Sequence, residues 1–146
     1  MKHSDEIRKL RQSLPEILTP AEQGLVWVPR PTRASAFDWS QTSGLTADGA
    51  WHDLSLASKV TDSDAVMVRF KRGLACTAAG RFLGLRLNGI TYGYDNYGIV
   101  TQAASIQVEG TFDVECDSSQ VIEYTLPATG LSSFFLVIQG WWRDPS

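Results

Sequence analysis

The residues that could do chemistry are few and scattered. The chain holds two histidines, His3 and His52. His3 stands in the polar first turn of a candidate helix, where solvent is its natural surrounding. His52, in "AWHDLSL", alternates with Trp51 on a strand pattern. It has two readings, a general base paired with Asp53 or a polar residue on the solvent face of a strand, and the spacing favours the second. Glu109, Asp113 and Glu115 share one face of one strand. A glycosidase needs only two carboxylates at a set separation, but a solvated acidic strand face accounts for the same pattern. Asp62, Ser63 and Asp64 could offer oxygens to calcium; "VTDSDAV" serves equally as a turn leading into a strand, the favoured reading. There is no G-x-S-x-G elbow, P-loop, G-x-G-x-x-G or H-E-x-x-H. No enzyme, cofactor or metal is therefore expected. Cys76 and Cys116 lack metal spacing, and one possible pair is no disulfide scaffold. Both are expected as reduced, small apolar residues.

Aromatic residues carry the stronger binding signal, with five Trp and four Tyr in 146 residues. "ITYGYDNYG", residues 90 to 98, brings together Tyr92, Tyr94, Asp95, Asn96 and Tyr97. Sugars stack their C–H faces on aromatic rings, and Asp or Asn can bond their hydroxyls. Aromatics with polar tips also suit wet protein contacts. The same residues make a hairpin, since Asn96 or Gly98 tolerates a left-handed turn and flanking tyrosines pack across it. A turn does not require three tyrosines, so the loop is a candidate contact surface for protein or sugar. Trp141 and Trp142 are a second candidate. Adjacent strand residues face opposite ways, so one can cap the core while the other meets a further element, a subunit or solvent.

The elements that must position these residues fall into two parts, an N-terminal segment over 1–23 and a β domain over 24–146. Residues 4–14 read as a short helix, with Ser4 as N-cap and Asp5 and Glu6 in the first turn. Ile7, Leu10 and Leu14 form its one apolar stripe, and Pro15 ends it. Such a helix is marginal alone, so its stripe is a candidate oligomerisation surface. In "TPAEQ", Thr19 and Glu22 form a capping-box pattern. "GLVWV" reads as a short strand closed by Pro29, followed by a long polar connection.

From residue 50 the pattern has period two. Val66, Val68 and Phe70 share a face, as do Leu83, Leu85 and Leu87. Ile106, Val108, Phe112, Val114 and Cys116 share another, with Gly110 as a possible bulge. Ile122, Tyr124 and Leu126 point inward. Phe134 to Ile138 is apolar on both faces, which fits a central strand or one covered by another chain. Short strands separated by "ADGA", "TDSD", "LNG", "CDSSQ" and "PATG", with no helical pattern between them, argue for an all-β fold. The expected form is an antiparallel β-sandwich of jelly-roll type with a short N-terminal α-helix.

The net charge of −3 argues against nucleic acid as main partner. No apolar run approaches a membrane span, and "MKHSDEIRKLRQ" lacks a signal peptide's apolar stretch. Over "AWHDLSLASKVTDSDAVMVRF" and "GRFLGLRLNG" the chain resembles small β-sandwich virion proteins of tailed bacteriophages, of tail-fibre, head-fibre or decoration type. The likeness runs from about residue 50 to 142: a Trp-x-Asp-Leu-Ser strand at Trp51, an Ala-Val-hydrophobic-Val-Arg strand at Ala65, and a strand ending in Arg-x-Asn-Gly at Gly89. The resemblance implies a non-enzymatic virion protein assembled in the host cytoplasm. It also implies a homo-oligomer, a trimer favoured, with other virion proteins as partners and a host-surface glycan as an alternative ligand.

Overall fold

The computed structural model describes residues 19, 22–32, 35–93 and 96–145. The expected helix with Ile7, Leu10 and Leu14 lies outside the described residues, as do Tyr94 and Asp95. Among the described residues there is no helix, and the chain is all-β with antiparallel pairing. The capping box is formed. The Glu22 amide donates to Thr19 Oγ1 at 3.2 Å, and Glu22 Oε2 accepts from the Thr19 amide at 2.9 Å.

Nine strands lie among the described residues: β1 Val26–Pro29, β2 Trp39–Ser40, β3 His52–Ser55, β4 Ala65–Cys76, β5 Phe82–Leu87, β6 Tyr97–Val100, β7 Val108–Glu115, β8 Val121–Thr125 and β9 Leu131–Arg143. One sheet has the order β1-β9-β4-β7, with β2 also on β9; the other has the order β3-β8-β5-β6. β1 pairs with residues 140–143 of β9 and β2 with residues 135–136. The two segments thus lie along one edge of β9, where a single first strand would stand. Counted that way, eight strands pair first with last and so inward to the β5–β6 hairpin. This is the wiring of a jelly roll, in which a long folded hairpin wraps into two facing sheets.

Alternation built this core where it was unbroken. Val68, Phe70, Leu74, Leu83, Leu85, Val114, Ile122, Leu126, Leu136 and Ile138 are buried between the sheets. Tyr124 is inward too, and its hydroxyl accepts from the Thr46 amide at 2.9 Å. The turn signals also hold. Asp48, Asp62 and Asp117 each accept an amide from two residues ahead, at 2.9, 3.0 and 2.9 Å, so side chains close the turns before the strands.

Three expectations are corrected. Gly110 marks no bulge, because β4 and β7 keep one register from Met67–Glu115 to Leu74–Val108. Ile106 precedes β7 and is exposed. Ala65 rather than Val66 takes the inward place at the start of β4, because the pairing with β9 slips by one residue there.

A second slip decides the orientation of the tryptophans. Phe70 faces Ile138 but Arg69 faces Gly140, leaving Gln139 as the extra residue. Past it every side chain changes face. Trp141 therefore turns into the core, 3% exposed, and Trp142 onto the outer surface. β9 is central, flanked by β4 on one side and by β1 and β2 on the other, which explains its apolar residues on both faces.

Candidate functional site

The loop between β5 and β6 begins at Asn88, whose side-chain amide donates to Asp117 Oδ2 at 2.9 Å. Further on, Asn96 Nδ2 donates to the Gly93 carbonyl at 2.7 Å, which is turn chemistry. The tyrosines divide. Tyr92 is 69% exposed, the most open large apolar side chain among the described residues. Tyr97 opens β6, half-buried, and its ring packs 6.4 Å from that of Phe112. The structure therefore separates Tyr92, on the surface, from Tyr97, which supports the sandwich. The tryptophans divide likewise. Trp141 is a core residue whose Nε1 donates to Asp62 Oδ2 at 3.0 Å. Trp142 meets Trp27 of β1, with ring centroids 5.3 Å apart.

Beneath the loop lies Arg72, fully buried on the inward face of β4. Its guanidinium stands 3.9 Å over the Phe112 ring, and Nη1 donates to the Tyr97 carbonyl. Gly110, opposite Arg72 in the register, makes room for the Phe112 ring, which a Cβ there would meet at 2.8 Å. Nε and Nη2 have no hydrogen-bond partner. Burial pushes the pKa of Arg72 down to about 10. Continuing the alternation of Val68 and Phe70 by one step would have placed Arg72 inward from the sequence.

On the outer faces, arginines stack on rings and pair with carboxylates. Arg69 lies 4.7 Å over Trp27 and 6.0 Å from Trp142, and donates to both oxygens of Asp113 at 2.9 and 3.1 Å. The hydrogen bond to Asp113 holds its pKa above the ordinary value. On the other sheet Arg86 stands 4.0 Å over Trp51 and donates to Glu123 at 2.6 Å. These stacks cover sheet surface without extending the core.

Several of the candidate chemical groups are held by neighbours. His52 Nε2 stands 2.8 Å from Asp48 Oδ1, so its partner is Asp48 and not Asp53. That hydrogen bond holds the Asp48 carboxyl below its ordinary pKa. Of the carboxylates on β7, Asp113 holds Arg69, and Glu109 lies 3.9 Å from Lys71 and accepts from Gln107. Burial alone would raise the pKa of Asp62. Hydrogen bonds from Trp141 and the Asp64 amide, with the charge of Arg143, outweigh it, and the net shift is down. Arg143 also pairs with Asp64 at 2.7 Å, so one guanidinium holds both carboxylates of this turn. Cys76 and Cys116 are buried and free. Burial pushes the Cys116 thiol up to about 11.

No family model matches the chain, and no curated protein does. Among solved structures, the coat protein of tobacco streak virus is similar at 14% identity over 90% of this chain and 92% of that one, with a TM-score of 0.38. No residue role transfers at that level of likeness.

Proposed function

We propose that the chain is a non-enzymatic structural protein of a tailed-phage virion, a fibre, spike or decoration subunit. In this reading it assembles through its N-terminal segment into a homo-oligomer, a trimer favoured, and displays the β-sandwich outward. One observation carries the reading. The three segments that resemble virion modules fall on three successive strands, β3, β4 and β5, within a jelly-roll wiring. That wiring is used in viral capsid and lectin domains. His52, Asp62, Asp64, Glu109 and Asp113 make ion-pair and turn contacts within the fold, which fits a structural role.

Electron microscopy of particles labelled with an antibody to the purified chain tests it. Label at a regular position on the capsid or tail is expected; particles lacking the label would oppose the reading. A second reading, a carbohydrate- or receptor-binding module, is supported by the exposed ring of Tyr92.

A further inference from the structure

The outer face of the β1-β9-β4-β7 sheet carries a groove of about 390 Å³. It lies over β9 and β4, where the ring of Phe135 occupies space left by Gly73. A Cβ at Gly73 would come within 2.3 Å of that ring, so only glycine lets it lie flat on the sheet. Phe37, from the connection before β2, stacks on Phe135 with ring centroids 4.6 Å apart and planes 11° from parallel. One face of Phe37 is thus backed by a buried ring, yet the residue is 58% exposed, which leaves the other face to solvent. The backing ring fixes its orientation. An exposed phenylalanine held this way cannot be explained by the core.

The opposite wall of the groove is polar. Gln107 Nε2 donates to Glu109 Oε1 at 2.8 Å, and Lys71 Nζ lies 3.9 Å from Glu109 Oε2. Gln41 completes the rim beside Phe37. The groove therefore joins a flat aromatic platform to a carboxylate, two amides and an ammonium. The single cation and single anion face each other, so the lining is near neutral and favours a neutral ligand. Ligands that offer an apolar C–H face on one side and adjacent hydroxyls on the other are pyranose sugars. The ring face stacks on the aromatic, a carboxylate accepts from hydroxyls, and amide or ammonium groups donate to them. The volume lies at the small end of the range for ligand sites.

We propose that this groove binds a neutral pyranose residue of a glycan, with Phe37 as the stacking platform and Glu109 and Gln107 as the hydroxyl partners. The proposal deepens the carbohydrate-binding reading and rests on it, but places the sugar on the sheet face rather than on the tyrosine loop.

The test is saturation-transfer NMR of the full chain with the methyl glycosides of glucose, galactose and mannose, followed by titration of any that binds. At least one sugar should receive saturation on its ring protons. Phe37→Ala should weaken it roughly tenfold and Phe37→Trp should retain it. Glu109→Gln should also weaken it, and Val26→Ala, at an exposed position of β1 outside the groove, should leave it unchanged. Thermal unfolding checks that these surface variants keep the fold. Binding lost in Tyr92→Ala but kept in Phe37→Ala would overturn the groove and leave the carbohydrate reading standing. No transfer to any of the three sugars would count against both. A change in oligomer mass on Phe37→Ala, without sugar binding, would assign the platform to a second copy and overturn the proposal.

Discussion

Arg72 is the residue least expected from its surroundings. An arginine inside a sandwich must repay the loss of its hydration. Here it receives one carbonyl bond and one ring face, while two of its nitrogens go unpaired. Even a buried ion pair replaced by apolar groups of similar volume is often neutral or stabilising by about 1–4 kcal/mol, and Arg72 is shifted by burial alone, with no carboxylate beside it. The lost bond to Tyr97 offsets part of this, at about 1.5–3 kcal/mol for a charged donor. Because no counter-charge compensates the guanidinium, Arg72→Met should be neutral to stabilising, by up to about 2 kcal/mol in urea unfolding. A loss of stability would show that the buried cation is compensated.

A second prediction at this scale concerns Asp117. Its carboxylate accepts from the Asn88 side chain and from the amides of Val121 and Ser119, and these bonds hold its pKa below the ordinary 3.8. A folded pKa lower than the unfolded one contributes stability that is complete above 3.8 and is lost as pH falls through the folded value. Wild type should therefore exceed Asp117→Asn in melting temperature at neutral pH, with the gap closing on acidification. A gap independent of pH would refute the linkage.

Among the elements, β9 shows what local pattern can and cannot reveal. Alternation and Asx turns were legible because they depend on neighbours two residues apart. "ADGA", "TDSD" and "CDSSQ" each became a turn closed by its own aspartate. Bulges were not legible, since they belong to a pairing between residues some 70 positions apart. The slip at Gln139 therefore decided which tryptophan was buried, a choice the sequence left open. Deleting Gln139 should turn Trp141 outward and bring Trp142 and its register toward the core. The cost should be about 3 kcal/mol or more, comparable with removing a large core side chain. Chemical denaturation with tryptophan fluorescence reads both the stability and the change of exposure. Unchanged stability would mean that the bulge is absent or moves freely.

At the scale of the whole molecule, the all-β class and the sandwich were readable from many short strands with no helical pattern between them. Candidate contact residues were only partly readable. Tyr92 is exposed, while Tyr97 and Trp141 serve the framework, because aromatic residues build cores and surfaces alike. Phe37 was missed for the opposite reason. It stands in a polar connection with no periodicity, and only the fold brings Phe135 beneath it.

A subunit that assembles through its N-terminal segment should be an oligomer in solution. Light scattering on the purified full chain, over a wide concentration range, tests this most directly. The predicted result is a stable mass of three times 16.1 kDa, falling toward one chain when Ile7, Leu10 and Leu14 are replaced by serine. A mass of one chain at every concentration would contradict the account.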